Sequence, residues 1–130
     1  AAAPTHLTLM ARSKRNGKQT ATKVQRYLKE VVKRIRQAFP QTRQIILFGS
    51  HAYGSPHRDS DLDLFVELPT RHRPPDRYHA SHRLLDPRPC GIDLIIKTPQ
   101  EIRRILRDFN PCFEDILRKG RVLYAKKQAR

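Results

Sequence analysis

The stretch GSHAYGSPHRDSDLDLFVE, residues 49–67, holds the side chains with the clearest chemical potential in this chain. Three Asp residues stand at 59, 61 and 63, and the last two lead into an apolar run. Carboxylates this close repel one another, and a half-buried one is costly unless a cation pairs with it. If residues 62–68 form a strand, alternate side chains share a face. Leu62, Leu64 and Val66 then turn to a core, and Asp61 and Asp63 stand together on the other side. Their backbones would lie roughly 6.5 Å apart, which suits two carboxylates gripping a hard cation such as Mg2+. Asp93 interrupts a second apolar run, GIDLIIK at 91–97. If the two strands are neighbours, three carboxylates converge on one or two metal ions. Two such ions about 4 Å apart can clamp the attacking and leaving oxygens of a phosphoryl-type displacement.

The run IILF ends in Gly49-Ser50. Gly lets backbone N–H groups approach an anion closely, and Ser50 adds a hydroxyl donor. A helical turn through Ala52 and Tyr53 would add the positive end of its dipole. A phosphate-cradling corner beside a metal-binding strand suggests a nucleoside triphosphate held by its tail. The plainer alternative makes the Asp residues solvent-facing members of an edge strand, paired with some of the many arginines. Two other motifs fail on the same residues. Gly49 and Gly54 have Walker A spacing, but Ser55-Pro56 follows where Lys-Ser/Thr is required. Asp59, Asp61 and Asp63 mimic the start of an EF-hand loop, but Leu64 replaces its Gly and Thr70 its final Glu.

These residues need a scaffold. From about residue 22, Val24, Tyr27, Leu28, Val31, Val32, Ile35 and Phe39 recur at helical spacing until Pro40. QIILF (44–48), LDLFVEL (62–68), GIDLIIK (91–97) and RVLYA (121–125) read as strands. Residues 69–89 carry five of the ten prolines and read as a loop with one helix, DRYHASHRLL, inside it. Thr98-Pro99-Gln100-Glu101 is a helix start, with Thr as N-cap, Pro next and Glu three after the cap. Asn110-Pro111 opens another short helix, which Gly120 ends. Helices alternating with strands predict an α/β (α+β) fold: a small mixed sheet of three to four strands with helices packed on it.

The pattern Gly49-Ser50, ten residues, then Asp61-Leu62-Asp63 resembles the signature of the DNA polymerase beta-type nucleotidyltransferase superfamily. The fuller string LFGSHAYGSPHRDSDLDLFVE is similar to its small prokaryotic members, the minimal nucleotidyltransferases. The likeness continues through GIDLIIKTPQEI to DILRKGRVLYAKK and covers residues 24–125. It implies the nucleotidyltransferase fold, with Asp61 and Asp63 holding two Mg2+ ions. Asp93 would ligate the second metal and help activate the attacking hydroxyl. Gly49 and Ser50 would bind the β- and γ-phosphates of ATP or another NTP. The implied reaction transfers a nucleoside monophosphate to a hydroxyl and releases pyrophosphate. Many relatives carry Arg directly after Gly-Ser or two residues later, where this chain has His51 and Tyr53. Arg58 is a candidate substitute. His51 and His57 otherwise read as structural loop residues, and His79-x2-His82 lacks the acid or Cys that a second metal site needs.

Small members of this kind often pair with HEPN-domain proteins, many of them toxic ribonucleases, and act as antitoxins, in some cases by adenylylating a partner Tyr. The resemblance therefore implies AMP transfer to a HEPN-type partner, with a homodimer cleft as another way to hold an acceptor. A weakly active or inactive nucleotide-, nucleic-acid- or protein-binding module is the alternative from a different class. Transfer to a small-molecule hydroxyl is a third.

The 130-residue chain has 27 Lys and Arg against 12 Asp and Glu, a net charge of +15. Residues 1–38 hold ten of the cations and one acid, Glu30; residues 118–130 hold six and none. Such blocks favour nucleic acid or an acidic partner, although few aromatics are interleaved to stack on bases. The expected organisation is a disordered basic segment at 1–20, a nucleotidyltransferase domain at 21–125 and a basic tail at 126–130. Within the first segment, residues 1–9 read as an extraneous leader ahead of Met10, the single methionine. No apolar run is long enough to span a membrane, and Cys90 and Cys112 make no disulfide framework. A reducing cytoplasmic setting is the default for such a chain.

Overall fold

A computed structural model of the chain describes residues 23–54 and 61–127. The expectations for residues 1–20, for His57 and Arg58, and for the last three residues of the tail lie outside those described.

Helix α1 occupies 23–38 and is followed by β1 (Gln44–Phe48), the single turn α2 (Ser50–Tyr53) and β2 (Leu62–Glu67). Helix α3 (Pro74–His82) runs into a 3-10 turn at Arg83–Leu85, which places one helix inside the proline-rich loop, as its sequence predicts. Then come β3 (Ile92–Lys97), α4 (Pro99–Arg107), α5 (Pro111–Lys119) and β4 (Arg121–Ala125). The fold is mixed α/β, with one four-stranded sheet in the order β3-β2-β1-β4. β1 runs antiparallel to both β2 and β4; β2 and β3 are parallel. Parallel neighbours need a crossover, and the segment 68–91 with α3 supplies it.

Helix starts follow the local chemistry. The Thr98 hydroxyl accepts from the Glu101 N–H at 3.2 Å, and the Glu101 carboxylate accepts from the Thr98 N–H at 2.8 Å, a complete capping box. The Asn110 side chain accepts from the Phe113 N–H at 3.1 Å to start α5.

Both faces of the sheet are covered. On one, Leu28, Val31 and Ile35 of α1 pack against Ile45, Leu47, Leu62, Leu64, Val66 and Ile96. On the other, Ile46 and Phe65 meet Ile102 of α4 and Phe113 and Ile116 of α5. Phe65 and Phe113 make an edge-to-face pair with centroids 5.2 Å apart. Leu62, Leu64 and Val66 thus turn to a core together, as expected. The face carrying Asp63 is not a solvated one, because two residues along the strand it becomes the second core.

Candidate active site

The parallel register of β2 and β3 opposes Leu62 to Ile92, Asp63 to Asp93 and Leu64 to Leu94. Opposed residues in a ladder project to the same face, so Asp63 and Asp93 stand side by side. On its other flank Asp63 faces Phe48 of β1. Phe48–Asp63–Asp93 is therefore a row across three strands, next to the apolar row Ile46–Phe65–Ile95. The acids sit where the second core runs out.

Gly49 follows Phe48 at a φ of +74° and ψ of −157°, a conformation that side-chain-bearing residues rarely adopt. A Cβ at this position would also collide with an Asp63 carboxylate oxygen. Only Gly lets the β1 corner and the carboxylate come this close. Ser50, the next residue, opens α2 and is half-buried. Sequence reasoning missed a second such position. A Cβ on Gly91 would run into the Asp61 carboxylate. The Leu62 N–H donates to the Gly91 carbonyl at 2.9 Å and ties the two strand entrances together. A Gly directly before an Asp-bearing strand was the available signal.

Electrostatics bear out the crowding. Burial raises the Asp63 carboxyl above its ordinary value, and Asp93 pushes it further through charge and a shared hydrogen bond. Asp61 adds to the rise, and His51 opposes it. Three carboxylates and one histidine thus feel one another at the sheet edge. Among the described residues no three or more His, Cys, Asp or Glu form a ready-made metal-ligand group. Asp61 lies against Gly91 while Asp63 and Asp93 contact each other. The donor set is nevertheless of the right kind for a hard divalent cation: all oxygen, all anionic, with excess negative charge that a cation would relieve. His79 and His82 do not join any such set; the Arg88 guanidinium donates to His82 Nδ1 at 2.8 Å.

A family model described as a nucleotidyltransferase domain matches residues 28–121. The chain belongs to this nucleotidyltransferase domain family. No curated protein gave a significant match. Among solved structures, a Sulfolobus solfataricus protein described provisionally as a nucleotidyltransferase is 18% identical, with a TM-score of 0.62 over 83% of this chain and 86% of that one. A toxin–antitoxin protein crystallised with AMP-PNP is 23% identical, with a TM-score of 0.56 over 77% of this chain and 74% of that one. The MntA-HepT toxin–antitoxin structure is 19% identical, with a TM-score of 0.52 over 78% and 73%. At such identities the likeness is one of fold. The nucleotidyltransferase fold is thereby shown, and among the described residues no helix is long and apolar enough to cross a membrane.

Proposed function

We propose that this nucleotidyltransferase moves AMP from ATP to a protein hydroxyl, a Tyr of a HEPN-type partner, in an antitoxin-like role. The observation that carries this reading is the in-register pairing of Asp63 with Asp93 beside the Gly49 corner. The fold likeness to a toxin–antitoxin protein holding AMP-PNP supports the choice of nucleotide and partner class.

In this reading Asp61, Asp63 and Asp93 hold two Mg2+ ions, which when bound neutralise charge on the phosphoryl oxygens. The backbone at Gly49 and the Ser50 hydroxyl grip the β- and γ-phosphates and fix the triphosphate in line. Asp93 is more exposed than Asp63, so an incoming hydroxyl meets it first. It draws the proton as the new oxygen–phosphorus bond forms at the α-phosphate. The α–β bridging bond breaks and pyrophosphate leaves.

The test is labelling with α-labelled ATP, Mg2+ and a HEPN partner. Label should appear on the partner and vanish with Asp63→Ala; label that persisted in that variant would place the site elsewhere. A second reading, a binding module with little turnover, draws on His51 and Tyr53, which stand where the family resemblance would place an Arg in many members. Absence of labelling with every partner and metal would favour it, and label on a small-molecule hydroxyl would favour the third acceptor class.

A further inference from the structure

The end of the sheet opposite the acids is basic. Four chain segments are laced together there by backbone bonds. The Arg43 N–H donates to the Glu67 carbonyl at 2.9 Å, the Leu68 N–H to the Lys97 carbonyl at 2.9 Å, and the Lys126 N–H to the Arg43 carbonyl at 2.7 Å. Two adjoining depressions, about 520 and about 710 Å3, open on this platform and share Arg43 and Pro69. Arg71 and Arg103 line the first, and Lys126 and Lys127 the second. All five cations are exposed. Glu67, the one acid that lines either depression, and Glu101, next in the chain to the lining residue Gln100, are already engaged. Glu67 accepts from Gln44 at 2.7 Å and lies 3.8 Å from Arg43. Glu101 pairs with the buried Arg77 at 2.6 Å.

We infer that this track binds the phosphodiester backbone of a nucleic acid. It is a second binding surface, separate from the nucleotide-transfer site and holding whether or not AMP transfer is the activity. Length decides against a small anion, because the cations run from Arg103 of α4 across Arg43 to Lys126 and Lys127 beyond β4. Chemistry decides against an acidic protein. Protein interfaces are anchored by desolvated apolar side chains. Among the described residues the exposed large hydrophobics, Tyr78, Leu106, Phe109 and Val122, all lie outside the two depressions. Backbone recognition of a nucleic acid needs only fixed cations and polar donors, and Thr70, Thr98 and Gln100 supply the latter. No aromatic side chain among those lining the two depressions offers a stacking platform, so base stacking and sequence preference are not expected.

The experiment is fluorescence anisotropy of the full chain with a labelled homopolymer RNA across a salt series. A variant carrying Arg71→Ala, Arg103→Ala, Lys126→Ala and Lys127→Ala should bind at least about tenfold more weakly, with a log–log salt slope shallower by about 3. A control carrying Arg104→Ala, Arg107→Ala, Arg118→Ala and Lys119→Ala removes equal charge from α4 and α5 and should stay close to the parent. Equal losses in the two variants would reduce the effect to net charge and overturn the assignment, as would an unchanged affinity in the first. Circular dichroism checks that both fold. Poly-glutamate displacing RNA as effectively per charge would overturn the choice of nucleic acid and point to an acidic protein.

Discussion

Gly49 and Gly91 occupy parallel roles at the residue scale but differ in what a methyl group would cost. At Gly49 the backbone sits at φ +74°, and a Cβ would also strike the Asp63 carboxylate, which is half-buried between Phe48 and Asp93. Gly49→Ala should therefore lose about 1–3 kcal/mol of stability and, by displacing a carboxylate, about 100-fold or more in transfer rate. At Gly91 the backbone conformation is ordinary, and the atom in the way belongs to Asp61, an exposed side chain free to swing aside. Gly91→Ala should unfold within a degree or two of the parent yet transfer nucleotide more slowly and need more Mg2+ for half-maximal rate. Thermal melts and Mg2+ titrations of both variants check the contrast; a Gly91→Ala protein with unchanged Mg2+ dependence would remove Asp61 from the proposed cation site. The Asp61–Asp63 pairing was readable from period-two alternation, and its spacing from Gly49 from the resemblance to the nucleotidyltransferase signature. Gly91 was not, since its constraint arises only when two strand entrances meet.

At the scale of elements, the hinge of the architecture is the junction of β3 with α4. The Glu101 carboxylate accepts from the Thr98 N–H and from the Arg77 guanidinium, and Arg77 also donates to the carbonyls of His72 at 2.9 Å and Ile96 at 3.4 Å. One buried arginine thereby clamps the loop after β2, the last turn of β3 and the first turn of α4. Burial works to raise the Glu101 carboxyl, but the Thr98 N–H and Arg77 outweigh it and hold the group below its ordinary value. A carboxyl with a lowered folded value stabilises the fold above its unfolded value and loses that contribution as pH falls through the folded one. Urea melts should thus show a stability decrease on acidification from about pH 5 toward 3 that is smaller in Glu101→Gln. Arg77→Ala should cost about 3 kcal/mol, because it leaves polar partners buried and unpaired. Thr98→Ala should cost about 1 kcal/mol through the cap alone. The cap was readable from Thr-Pro-Gln-Glu, a purely local pattern. Arg77 was not, because its partners lie five, nineteen and twenty-four residues away and nothing in the helix DRYHASHRLL marks it among the neighbouring cations as the buried one.

Across the whole molecule, two properties follow from how the elements stack. The first is that both faces of the sheet are covered. Strands bordering a parallel pair tend to be apolar on both sides. LDLFVEL and GIDLIIK show this once past their Asp residues, where Phe65 and Ile95 continue the acid face as core. Strand identity was therefore accessible from sequence, but the adjacency of the two Asp-bearing strands entered there only as a condition, and strand order and the parallel sense were not accessible, since they depend on where the crossover docks. The second property is the charge. With 27 Lys and Arg against 12 Asp and Glu, the compact state brings like charges together that the unfolded chain holds farther apart. The ion pairs at Glu30, Asp86 and Asp115 are local and partly exposed, and pairs of that kind each contribute at most about 1 kcal/mol. Repulsion should thus dominate the salt response. Raising NaCl from about 0.01 to 0.15 M shortens the screening length from about 30 to 8 Å and should raise Tm. Calorimetry over that range checks the sign, and a Tm that fell with salt would mean that attractive pairs, rather than net repulsion, govern the folded charge distribution. Because nucleic acid bound along the basic track would relieve the same repulsion, adding RNA at low salt should raise Tm in the parent more than in the four-site track variant.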